Sequence, residues 1–277
     1  MYNKYFTVEV KPNIDADLLN AAALAADDDV IFSWTPFEVP KGSSRLLNVT
    51  ARVASNNGTA QHHPFQLVFA KCKVDAATGS MSNPVSLGEY NTTANFLPSK
   101  NEALGGLKIE AIDYMCQSLI GSSLASTGNS VAANGANVSM VLTPAGTPHA
   151  NYRLSATDIL GTAGDIVSIT PGYDVLWVAG IACGAFNFAS TVTTDGGSQG
   201  IVIHTDTADA NLQFSPGDLV QELDNTVVGT IALIGSPGES DVDVDITFVQ
   251  GSNVDDIADG VKLYHRQPIT LELSFEK

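Results

Sequence analysis

Strict alternation of apolar and polar side chains, repeated at both ends of the chain and in its middle, limits most tightly what this polypeptide can become. In ITLELSFEK, Ile269, Leu271, Leu273 and Phe275 alternate with Thr270, Glu272, Ser274 and Glu276. Successive side chains of an extended backbone leave on opposite faces, so such a run has one dry and one wet face and fits a half-buried strand. YFTVEV sets Phe6, Val8 and Val10 against Thr7 and Glu9, and RLLNVTARV sets Leu47, Val49, Ala51 and Val53 against Asn48, Thr50 and Arg52. PFQLVFAKCKV is apolar on both faces near its centre, as a middle strand covered on each side would be. Further along, GIVIHTDT, FSPGDLVQELDNTVVGTIALIGSP and DVDVDITFV continue the pattern, with turn residues at regular spacing. The class expected is all-β: an antiparallel, jelly-roll-like β-sandwich with a second β domain inserted or appended.

Interruptions in the pattern suggest where the strands stop. Pro36, Pro40 and Gly42 in SWTPFEVPKGSS break a run between two strands and set a turn. DADLLNAAALAADDDV is rich in helix formers, but Asp27, Asp28 and Asp29 place negative charge at what would be a helix C-terminus, so a loop or a single turn is expected. NEALGGLKIEAIDYMC has a helical start cut by Gly105 and Gly106, and LKIEAIDYM alternates well enough for a strand. From Gly121 to about Pro148 the chain is nearly uncharged and dense in Gly, Ser, Ala and Asn, the composition of an exposed loop or arm. Gly164-Asp165 and Gly217-Asp218 each precede an apolar pair, hinting at repeated hairpins.

Composition decides among partners. At 277 residues the chain can bury roughly three quarters of its unfolded surface in one large or two modest domains. Thirteen Lys and Arg stand against 30 Asp and Glu, a formal charge of −17, so the surrounding field repels phosphates and anionic lipid headgroups. Neither nucleic acid nor a membrane is an expected partner. The start MYNKYFTVEVKPNIDAD lacks the pattern of a secretory signal, and VLWVAGIACGAFNFAS, the longest uncharged apolar run, is too short to span a bilayer and reads as buried strands. Cys72, Cys116 and Cys183 are far apart and odd in number, so they read as small core residues rather than a disulfide framework. Four sequons, at Asn48, Asn57, Asn91 and Asn137, are what chance produces in so Asn- and Thr-rich a chain.

Few clusters carry the residue types of a reaction. Asp241, Asp243 and Asp245 in SDVDVDITFVQG resemble the opening of a calcium loop, but the sixth and twelfth places hold Ile246 and Ser252 where glycine and a carboxylate are needed. Val242, Val244, Ile246 and Phe248 fall on the opposite face, so a strand with an acidic, hydrated side is the simpler account, against a cation site completed by Asp255 and Asp256. His62 and His63 are adjacent and so point to opposite faces of an extended chain, with no ligand at metal spacing nearby. His204 with Asp206 and a serine has the ingredients of a hydrolytic triad, but no motif places the serine. DGGSQG and GNSVAANG are turns without phosphate-loop spacing, and Trp34 and Trp177 read as core anchors, although one exposed tryptophan would serve a carbohydrate-binding module. No catalytic, cofactor-binding or metal residue is assigned, and no cofactor or enzymatic activity is expected.

The succession YFTVEVKPNIDADLLNAAALAADDDVIFSW, VPKGSSRLLNVTARV, HHPFQLVFAK and GEYNTTANF resembles a group of tailed-phage virion structural proteins, marine cyanophage virion proteins in particular. The likeness covers about the first 120 residues and the final GVKLYHRQPITLELSFEK; it is a pattern of strands rather than a diagnostic motif. It implies a β-sandwich on the virion surface, a capsid decoration or cement protein that binds the major capsid protein and its own copies as a dimer or trimer. Shorter members of the group lack the stretch from about residue 150 to 254. The layout expected is a sandwich over 1–150, completed by 255–277, with a second β domain inserted over 151–254, because the first and last strands match in pattern and can pair. A tail or fibre subunit, a carbohydrate-binding module and, last, a hydrolase are the alternatives.

Overall fold

The computed structural model describes residues 4–14, 29–71, 73–74, 81–82, 102–114, 123–126, 140–142, 151–153, 166–206, 210–224, 226–235, 243–250, 252, 254 and 257–277. The fold is nearly all β, and every strand pairing described is antiparallel. With strands numbered in chain order, the first sheet holds β1 (Tyr5–Val10), β3 (Ser44–Val53), β8 (Ser123–Ser126), β9 (Met140–Leu142) and β19 (Ile269–Glu276). Its order is β1-β19-β3-β8, with β9 also on β3. The second holds β2 (Val30–Pro40), β4 (Phe65–Lys71), β7 (Glu102–Ile109) and β12 (Tyr173–Ala182), in the order β2-β12-β4-β7. The third holds β13 (Thr194–Gln199), β14 (Val202–Thr205), β15 (Leu219–Gln221), β16 (Val227–Ile234), β17 (Val244–Phe248) and β18 (Tyr264–His265), in the order β13-β14-β17-β16-β15-β18. Two short ribbons, β5 (Lys73–Val74) with β6 (Met81–Ser82) and β10 (Asn151–Arg153) with β11 (Ile166–Ser168), a 3-10 turn at Ala111–Asp113 and one α-helical turn, α1 (Ala210–Gln213), complete the described elements.

The first two sheets form the sandwich, and alternation explains its core. Leu46, Val49, Ala51 and Val53 from β3 and Ile269, Leu271, Leu273 and Phe275 from β19 are all fully buried against Phe32, Phe37, Phe65, Leu67, Phe69, Leu176 and Val178 of the second sheet. Each Val, Leu, Ile or Phe side chain among them contributes about 1.5–3 kcal/mol of burial. β19 lies between β1 and β3 with Leu273 opposite Val8 on one side and Val49 on the other; toward β3 the register shifts between Ser274 and Phe275, so Phe275 faces Leu46, which is buried where Leu47 was expected. The Phe37 ring meets Phe69 edge-on at 6.3 Å and Phe275 of the facing sheet at 6.4 Å. β4 is the middle strand its sequence demands: Leu67 and Phe69 enter the sandwich core, while Val68 and Ala70 join Trp34, Val175, Trp177 and Ala179 in a separate cluster.

Several expectations change. β12 lies beyond the boundary expected at residues 150 and 151, yet it pairs with β2 and β4 in the sandwich, and Phe186 and Phe188 also pack into that core. The third sheet begins only at Thr194, so the division between sheets falls near residue 190. Pro36 does not end a strand; β2 runs through it to Pro40, as an edge strand tolerates a missing N–H that faces away from the ladder. The turn follows at Lys41–Ser43, where Gly42 takes φ +101° and the chain crosses from one sheet to the other. Gly105 and Gly106 lie inside β7 rather than before a strand, and a Cβ on Gly106 would sit 3.0 Å from the Leu67 carbonyl oxygen, so a side chain there would crowd β4. The 121–148 segment is not wholly an arm, since β8 and β9 both add to the first sheet. The 15–28 stretch lies outside the described residues.

Candidate functional site

The acidic strand of the sequence is β17. Val244, Ile246 and Phe248 are buried in the core of the third sheet with Ile203, Val220, Val228 and Ile231, which leaves Asp243 and Asp245 exposed on the outer side. Asp241, Asp255 and Asp256 lie outside the described residues. Among the described residues no three His, Cys, Asp or Glu side chains converge to hold a metal.

His204 does meet a carboxylate, but not the one expected. β14 and β17 pair with His204 opposite Asp245, and the ring Nδ1 lies 2.5 Å from the Asp245 carboxylate. A directly opposed pair has Cβ atoms about 5 Å apart, closer than a residue two places along the same strand, so Asp245 outcompetes Asp206. The imidazole is 38% exposed and the carboxylate 55%, so water screens the pair. His62 and His63 also diverge as their adjacency requires: the His62 ring lies 5.2 Å from Tyr114, and that of His63 lies 5.4 Å from Phe186. Burial lowers the His63 pKa, helped by the neighbouring charge of His62. Trp34 and Trp177 are both buried, so neither offers the exposed face on which a sugar ring would stack. Cys183 is half-buried, and Cys72 and Cys116 lie outside the described residues.

Sequence reading missed a polar joint between the sandwich and the third sheet. β18 ends at His265 and the link to β19 begins at Arg266, both buried. His265 Nε2 lies 2.7 Å from the Gln213 carbonyl oxygen and 3.5 Å from the Asp218 carboxylate. Arg266 Nη1 donates to Gln221 Oε1 at 2.8 Å, and Gln221 Nε2 donates to the Ile14 carbonyl at 3.2 Å, tying N-terminal backbone to the third sheet. Ser55 Oγ donates to the Leu212 carbonyl, and the Asn57 amide donates to Gln213 Oε1. Buried polar groups are stable only when satisfied, so this network fixes one arrangement of the joint. The available signal was the run His265-Arg266-Gln267 set inside an otherwise apolar approach to β19.

A second missed feature is a surface cleft of about 270 Å³ lined by Leu219, Val227, Thr230, Val249, Gln250 and Ser252 among others. It owes its shape to a bulge in the β15–β16 hairpin and to Gly229, which has φ +154°. A Cβ there would fall 2.1 Å from Ser252 Oγ, so only glycine lets the segment after β17 cross this close. From the cleft the outer face continues to a row in which Val202, Thr247 and Leu233 stand side by side, followed by the row of His204 and Asp245. Leu233 is 60% exposed and Val249 48%.

No family model, curated protein or solved structure matches the chain.

Proposed function

We propose that this chain is a tailed-phage virion structural protein, a decoration or cement protein that binds the outer surface of the head. Its partners would be the major capsid protein and further copies of itself, as dimers or trimers, and its work is contact rather than turnover. The observation that carries the reading is the outer face of the third sheet. There, the large apolar side chains of Leu233 and Val249 are left in water on a paired sheet, an arrangement that costs solubility unless a partner covers it. The sandwich pattern that resembles virion proteins supports the same reading.

The mechanism is multivalent. A subunit that contacts two neighbouring capsomers adds its binding free energy to the intact shell and loses it on rupture, so each weak contact counts many times over a particle. The test adds the purified chain to preformed shells that lack it. Saturable binding with a raised shell melting temperature is expected; shells that bind none of it, or melt at the same temperature with it bound, would remove the cementing role.

A further inference from the structure

We infer that the outer face of the third sheet is a docking surface for an extended, lysine- or arginine-bearing segment of a partner protein, laid along β16 with an apolar side chain in the cleft. The inference extends the contact reading above by naming the contacting face and the chemistry it takes.

The face is arranged as a track. At one end is the cleft beside Val227, whose partner Gln221 precedes the turn that carries Glu222 and Asp224. Then come exposed Val249 and the row of Val202, Thr247 and Leu233, and at the far end Asp245 and Asp243. β16 has 8 residues, so the track is about 25 Å long at about 3.3 Å per residue, matching an extended stretch of similar length. The cleft, at about 270 Å³, lies below the roughly 300–1,000 Å³ of small-molecule sites and suits one inserted side chain.

Charge selects the occupant. Between residues 191 and 263, thirteen Asp and Glu side chains stand against Lys262 alone, so most of the chain's net charge of −17 belongs to this stretch of sequence. Acids sit at both ends of the apolar track. Partial burial and then the charge of Asp224 raise the pKa of Glu222, a strain that an arriving cation relieves. A second copy of this chain would bring the same excess of negative charge against it, and a nucleic acid would bring phosphates; both are repelled.

The test uses the full chain and a fluorescent, end-blocked octapeptide with paired lysines at each end and leucine and valine between. Controls replace the lysines by glutamate, or the leucine and valine by serine. The inference expects saturable binding that weakens as salt rises, no binding of the glutamate peptide, and at least tenfold weaker binding of the serine peptide. Leu233→Ser with Val249→Ser should also weaken binding at least tenfold, with circular dichroism and melting temperature unchanged because both side chains are exposed. No binding, equal binding of the serine peptide, or binding indifferent to the double substitution would overturn it. Self-association abolished by Leu233→Ser would also overturn it, by showing that a second copy covers the face. Shells that hold the double variant as tightly as the parent would leave cementing intact and move the contact elsewhere. Shells that ignore a parent chain competent for the peptide would remove cementing alone.

Discussion

Gly180 of β12 is opposite Phe32 of β2, and the phenyl ring lies over the glycine where a side chain would otherwise be. A Cβ built on Gly180 would come 2.2 Å from Phe32 Cε1, with two further ring carbons at 2.6 and 2.7 Å. Carbon atoms rest at about 3.5–4.0 Å, so Gly180→Ala requires the ring to withdraw by about 1.5 Å. Phe32 is fully buried in the sandwich core, so the displacement passes to its neighbours. Overpacking of this kind costs about 1–3 kcal/mol, and the depth of the overlap puts Gly180→Ala near the upper figure. Alanine's smaller loss of backbone freedom returns about 0.5–1 kcal/mol, for a net loss of about 2 kcal/mol and a melting point lower by about 5 °C. Phe32→Ala alone should cost about 3–5 kcal/mol through the cavity it leaves. In the Gly180→Ala background it should cost about 2 kcal/mol less, because the methyl then occupies space the ring vacates. Urea unfolding of the four proteins in this cycle measures the coupling. Additive effects, to within about 0.5 kcal/mol, would refute the overlap as the cause.

His265 predicts an acid-sensitive joint. Burial holds its pKa below the ordinary value and Arg52 reinforces this, while Asp218 and the Gln213 carbonyl pull the other way. The unfolded chain therefore takes the proton first, and the contribution present at neutral pH is lost progressively as pH falls from about 6.5 toward the lower value of the folded state. The urea midpoint should drop from pH 7 to pH 5, and drop less in His265→Gln; an equal drop in the variant would assign the effect to other groups such as His63, which shifts in the same direction. His204→Ala should change stability by less than about 1 kcal/mol, because its pair with Asp245 is solvent-exposed. A larger loss in the same unfolding assay would mean that the pair is not screened.

Strands whose two faces differ were legible directly. In β1, β17 and β19 one residue in two is apolar, and only one orientation buries that set; in β3 the alternation runs from Val49 to Val53, but a register shift beside Ser274 and Phe275 buries Leu46 where Leu47 was expected. The two-sided run of β4 likewise announced burial on both faces. Partners were harder. β12 is apolar on both faces, which says that it is covered but not by what, and its neighbours β2 and β4 lie more than a hundred residues earlier. The same gap misplaced the His204 partner, since Asp206 is near in sequence whereas Asp245 is near in space. The cleft was hidden because it depends on a bulge and on Gly229, and one glycine among 24 carries no mark of its role. The His265-Arg266-Gln267 run marked the joint only faintly for a related reason: a buried polar run is tolerable only beside groups such as Gln213 and Gln221, which arrive from another part of the chain.

The position of β19 also sets the order in which the molecule can be made. β1 and β3 do not pair with each other; each pairs with β19, which lies more than two hundred residues after both. During synthesis at about 5–20 residues per second, the first sheet therefore waits on the order of ten seconds or more with its centre missing and two strand edges bare. A ribosomal stall or truncation before Ile269 would release a chain whose exposed edges accept strands from other copies, so expression yield should depend on chaperone capacity more than on the stability of the finished fold.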